Sequence, residues 1–148
     1  MRSPTIEQVN FVIDKLKSVT GQASEEGAFN MDEIRVYDKE DKYKCGTIHC
    51  VAGWYAVANL RRKFIKDKIK KGCVTFGTGT ELMAQDLGFA YRCDLEYWAE
   101  QNPKIWGNKK GYFMFGSASA YDNEGFNGVI SQWQLVRDNL IELKRNRK

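Results

Sequence analysis

Thr47-Ile48-His49-Cys50-Val51-Ala52-Gly53-Trp54-Tyr55-Ala56-Val57-Ala58 is the stretch on which the reading of the fold turns. Thr47 is a good helix N-cap, because its hydroxyl can accept from the amides of His49 or Cys50. The pattern predicts a helix from Thr47 to Lys71, stopped by Gly72. Ala52, Gly53, Ala56 and Ala58 are small, so another backbone can come close to the first half of this helix. That half is therefore expected at the centre of the fold, with Trp54 as a large buried anchor. The second half carries a basic run around Leu60, Phe64, Ile65 and Ile69.

Upstream, Ser3-Pro4 has the form of an N-cap followed by proline at the first helical position. Ile6, Val9, Ile13 and Leu16 recur at helical spacing, widened by Val12 and Val19. Gly21 to Asn30 is loop-like, and Asp38 to Lys44 is a charged loop. Between them Phe29, Met31, Ile34 and Val36 suggest a short packed segment, a turn of helix or an edge strand.

Downstream, Val74-Thr75-Phe76 suggests a short strand. Gly77-Thr78-Gly79-Thr80 would open a helix from Glu81 to Leu87, closed by Gly88. A further helix spans Asp94 to Gln101 and must end near Asn102, ahead of Pro103. A glycine-punctuated aromatic region follows, with Trp106, Tyr112, Phe113, Phe115, Tyr121 and Phe126, and Tyr112 to Phe115 could form a strand. Phe126, Val129, Ile130, Trp133, Val136, Leu140 and Leu143 then make the clearest helical stripe in the chain. The expected fold is mainly α, with α+β possible. Residues 1–148 form a single compact domain of about five helices around the one starting near Thr47, with at most a small sheet.

Composition agrees with an ordinary folded domain. The chain has 148 residues, of which 43% are hydrophobic and 28% charged, enough apolar mass to offset chain entropy and exclude disorder. No apolar run reaches the ~20 residues of a membrane span. Met1-Arg2-Ser3-Pro4 leads into an amphipathic stretch without the apolar region of a signal peptide. The expected location is the cytoplasm. The net charge of +4 is unevenly spread. Arg61, Arg62, Lys63, Lys66, Lys68, Lys70 and Lys71 face only Asp67, and Lys144, Arg145, Arg147 and Lys148 form a basic tail. Such runs attract phosphate backbones, or complement helix C-termini. The absence of base-reading motifs and the acidic remainder of the chain disfavour nucleic acid.

Of the four cysteines, Cys73 and Cys93 read as small buried hydrophobes. Cys45 and Cys50 share one motif, Cys45-Gly46-Thr47-Ile48-His49-Cys50-Val51-Ala52-Gly53-Trp54. It resembles the Cys-Gly-Thr-x-x-Cys-x-Ala-Gly-Trp signature of a family of small uncharacterised proteins from bacteria and their phages. Phe29 and Met31 match a segment that precedes the signature in that family, and Leu87-Gly88-Phe89 matches a later helix end. The segment from Trp106 to Tyr121 looks like that of the phage-encoded members. The family often has a small residue where His49 stands, and the resemblance implies a lineage without an activity.

Read as architecture, Gly46 permits a sharp turn into the helix. Cys50, Gly53 and Trp54 line its first buried turns, and Cys45 packs near Cys50. Three functional readings stand beside this one. In the first, Cys50 near a helix N-terminus is a nucleophile. A hydrolase needs a histidine brought from elsewhere, however, and the single histidine, His49, adjoins Cys50 and points about 100° away on a helix. In the second, Cys45, His49 and Cys50 with Cys73 or Cys93 bind zinc, although the spacing matches no standard knuckle. In the third, Gly77-Thr78-Gly79-Thr80 is an anion perch before a helix, and Trp106, Tyr112 and Tyr121 line a mouth for a planar ligand or an apolar partner. The purely structural alternatives are that Thr78 or Thr80 is an N-cap and that the rings are core. Asp122 and Glu124 lie in a loop without a paired carboxylate.

The resulting expectation is a non-catalytic, phage-encoded binding protein. It takes a small molecule or a host protein through Thr78, Gly79, Thr80, Trp106, Tyr112 and Tyr121, and needs no cofactor, metal or membrane. Cys45, Gly46, Thr47, Cys50, Gly53 and Trp54 are its structural motif. A cysteine- or zinc-dependent enzyme centred on Cys50 is the alternative, and a phosphate-backbone binder through Arg61–Lys71 is the second.

Overall fold

The computed structural model describes residues 2–23, 37–38, 51–70, 73–74, 76–107, 114 and 125–147. Among these the chain is mainly helical. α1 (Ile6–Ser18) and the single turn α2 (Thr20–Ala23) are followed by β1 (Tyr37–Asp38), α3 (Val51–Ala58) and α4 (Lys63–Lys70). β2 (Cys73–Val74) leads to α5 (Phe76–Asp86), α6 (Arg92–Gln101), the short α7 (Pro103–Trp106) and α8 (Phe126–Asn146). The strand pairing among the described residues is one antiparallel ladder, Tyr37 opposite Val74 and Asp38 opposite Cys73.

Local chemistry sets the element ends. α1 is capped by Thr5, two residues later than the Ser3-Pro4 pattern suggests. The Thr5 hydroxyl accepts from the Gln8 amide at 3.1 Å, and the Gln8 side chain accepts from the Thr5 amide at 2.9 Å, a reciprocal capping box. Ser3 has another task, since its hydroxyl accepts from the Trp98 indole N–H at 3.0 Å. α5 ends in a Schellman motif, with the Phe89 amide on the Ala84 carbonyl and the Gly88 amide on that of Gln85. Gly88 has φ +90°, as its place after the helix end requires. Asn102 ends α6 and Pro103 opens α7, as the order of those two residues predicts.

The helix expected from Thr47 to Lys71 is two helices. The Asn59 side chain donates to the Tyr55 carbonyl at 2.7 Å, and the Asn59 amide bonds the Ala56 carbonyl, so α3 closes with a tight last turn. Arg62 then restarts the chain, its carbonyl accepting from the Lys66 amide in α4. This break, and the short α2 and α7, give more helical segments than the five expected. Phe76, expected in a strand, begins α5 instead.

Buried side chains from α1, α3, α5, α6, α7 and α8 form one hydrophobic cluster. α3 packs most extensively on α5, and α1 on α8. Val51, Ala52, Tyr55 and Ala56 are fully buried, so α3 is enclosed as its small residues suggest. Trp54 meets Phe126 edge-on, with ring centroids 6.5 Å apart.

Candidate functional site

Several residues expected at a ligand mouth belong to the core. Gly77 to Thr80 do not precede a helix; they lie in the first turns of α5. Gly79 faces the α3 backbone so closely that an added Cβ would stand 1.9 Å from the Ala52 carbonyl oxygen. Thr80 is 2% exposed. Gly79 therefore serves the close packing of α5 on α3, while Thr80, although nearly buried, stands at the wall of a pocket shared with Tyr91, Arg92, Cys93 and Glu96. Thr78 occupies the same turns, inside the helix and not at its cap. Trp106 is fully buried, edge-on to Trp133 at a centroid distance of 5.3 Å, and its carbonyl accepts from the Gln132 side chain. It cannot line an open mouth. Tyr112 and Tyr121 lie outside the described residues.

Cys45, Gly46, Thr47, His49 and Cys50 also lie outside the described residues, while Gly53 and Trp54 are in α3. Cys73 is in β2, and Cys93, expected to be buried, is an exposed free thiol on the first turn of α6. The reason is orientation, because Leu95, Trp98 and Ala99 take the inward face of that helix. Among the described residues no three His, Cys, Asp or Glu side chains gather in a way that could hold a metal ion.

A polar cluster that the sequence patterns do not reveal joins α3, the turn after it and α5. Asp86, whose side chain is 8% exposed, takes two hydrogen bonds from Arg62, at 2.7 and 2.8 Å, in a bidentate fork. The Tyr55 hydroxyl donates to the same carboxylate at 2.5 Å. Arg62 also donates to the Asn59 side-chain oxygen at 3.1 Å. Burial, reinforced by the Asp86 hydrogen bond, drives the Tyr55 phenol far above its usual range, so it stays protonated. The Arg62 guanidinium, raised chiefly by its hydrogen bond to Asp86, stays charged. One cation of the Arg61–Lys71 run is thus committed to an internal carboxylate. Arg61, Lys63 and Lys66 are exposed.

A candidate site lies where the N-terminal arm, α7 and the end of α8 converge, in a groove of about 1050 Å³. Its aliphatic floor includes Ile105, buried, with Leu140 and Leu143, half-buried. Arg2, Lys144 and Arg147 are exposed around it, with the Glu7 carboxylate at one margin. Its walls are fixed from behind. Pro4 is buried, Ser3 is held by Trp98, and the Asn139 side chain donates to the Ile105 carbonyl at 2.9 Å, tying α8 to α7. Leu140 and Leu143 belong to the expected α8 stripe, and Lys144 and Arg147 to the basic tail. Their meeting with Arg2 across the fold has no signature in local sequence. The available signal is that the α8 apolar stripe runs on into the basic tail.

Comparison with family models, with curated proteins and with solved structures gave no match. The fold and site therefore define a class only, a mainly α chain with a groove lined by aliphatic and basic side chains. Among the described residues no helix is long and apolar enough to cross a membrane.

Proposed function

We propose that this protein is a non-catalytic binding protein that holds a partner in the groove between its N-terminal arm and the C-terminal end of α8. One observation carries this reading: half-buried Leu140 and Leu143 line one groove together with three exposed cations, where the Asn139–Ile105 hydrogen bond ties α8 to α7. The lining mixes aliphatic with charged side chains and is more polar than apolar, which suits a partner that is itself part charged and part aliphatic. The resemblance of the Cys45–Trp54 segment to bacterial and phage proteins supports a phage-encoded accessory protein acting on a host component in the cytoplasm. The test is affinity capture from bacterial lysate, with mass spectrometry of co-purifying proteins and of small molecules released on denaturation. Wild type and a Leu140→Ser/Leu143→Ser variant are compared. A species retained by wild type and lost by the variant is expected; equal retention by both defeats the reading.

A phosphate-backbone reading has a narrower base, in exposed Arg61, Lys63 and Lys66 on and before α4. It requires duplex DNA binding that weakens steeply with salt and falls in an Arg61→Glu/Lys63→Glu/Lys66→Glu variant. No binding at low salt removes it.

A further inference from the structure

We infer that the occupant of this groove is an acidic peptide segment of a protein partner, carrying aliphatic side chains between its carboxylates. This rests on the binding reading above and names the chemistry of the partner.

Charge sets the sign. Arg2 comes from the N-terminal arm, Lys144 and Arg147 from the end of α8, and all three are exposed beside the floor. A ligand meeting all three must present more than one negative group. Arginine adds bidentate recognition of carboxylates. The same lining includes aliphatic Ile6, Ile105, Leu140 and Leu143, so the segment must also carry side chains that gain by leaving water.

Size and lining distinguish a peptide from other anions. The groove, at about 1050 Å³, stands at the upper limit of the ~300–1,000 Å³ typical of small-molecule pockets. A single small carboxylate would leave most of the floor wet. Single-stranded nucleic acid gains affinity by stacking bases on aromatic rings, yet among the described residues no aromatic side chain lines the groove. Glu7 at the margin repels a continuous phosphate backbone, whereas a peptide can place a neutral or basic residue opposite it. A lipid surface engages apolar side chains that protrude, while Leu140 and Leu143 are recessed and half-buried. An acidic, leucine-bearing peptide answers each of these features.

The experiment is fluorescence anisotropy with the full chain and a fluorescein-labelled synthetic peptide of Asp and Glu interrupted by leucines. Comparison ligands are the same peptide with Lys for the acids, the acidic peptide with Gly for the leucines, a single-stranded oligonucleotide and anionic phosphatidylserine vesicles. The acidic leucine peptide is expected to bind at least about tenfold more tightly than either altered peptide. A Lys144→Glu/Arg147→Glu variant, checked for an unchanged circular dichroism spectrum, is expected to lose that advantage. Equal binding of the three peptides overturns the inference, as does an unaffected charge-reversed variant or preference for the oligonucleotide or vesicles. If captured species depend on Leu140 and Leu143 while the acidic peptide shows no preference, the partner chemistry is wrong and the groove reading stands. If the double serine variant captures as wild type does, both fail.

Discussion

Tyr55, Arg62 and Asp86 show how one carboxylate secures several elements. Asp86 ends α5, Tyr55 is in the middle of α3, and Arg62 stands between α3 and α4, so the fork and the phenol together fix three backbone segments. Replacing Asp86 with alanine leaves a buried phenol without its acceptor and a guanidinium without its counter-charge. The expected loss is about 2–4 kcal/mol, discounted because Arg62 is partly exposed. Tyr55→Phe should cost about 1–2 kcal/mol, and the double variant less than the sum, because both changes break the same hydrogen bond. Urea unfolding curves measure all three. The phenol also sets a pH dependence. Its folded pKa lies above the unfolded value of 10.0, so the folded state holds the proton while the unfolded state releases it. The stabilisation is whole below that unfolded value and declines as pH rises past it. Urea midpoints from pH 8 to 11 should fall more steeply for wild type than for Tyr55→Phe; parallel curves would show that Tyr55 titrates normally.

At the scale of elements, the contact between α3 and α5 depends on the absence of a side chain. A Cβ on Gly79 would strike the Ala52 carbonyl, and the obstacle is backbone, with no rotamer to move aside. Gly79→Ala should therefore push α5 off α3 and destabilise the protein by about 3 kcal/mol, although alanine is the better helix former. A variant as stable as wild type in thermal unfolding would mean that the two helices are not in this contact. The close approach is legible in Ala52, Gly53 and Ala56, yet the partner glycine is not. Gly77-Thr78-Gly79-Thr80 has the composition of a loop, and only packing against a helix of small residues explains why it is helical. The break between α3 and α4 is hidden for a similar reason. Asparagine is tolerated in helices, and that Asn59 turns back onto Tyr55 while Arg62 reaches Asp86 is a tertiary outcome.

For the whole molecule, Trp54, Trp98, Trp106 and Trp133 sit in one continuous core cluster. Tryptophan fluorescence and far-ultraviolet circular dichroism should report one coincident unfolding transition. Separated midpoints would divide the core into independent parts. Because Lys144 and Arg147 are exposed at the C-terminal end of α8, reversing them should cost only about 1–2 kcal/mol, from the helix dipole, while altering binding. The sequence by itself determined that the chain is mainly helical, that α1 and α8 present apolar stripes, that α3 is enclosed and that proline and glycine end particular helices. Each of these follows from spacing or backbone preference over a few neighbouring residues. Tertiary structure alone decided that Trp106 is core, that Cys93 faces outward, that Arg62 answers Asp86, and that Arg2 meets the end of α8 around an aliphatic groove. Such meetings depend on where distant helices come to rest, and packing of the whole core sets that.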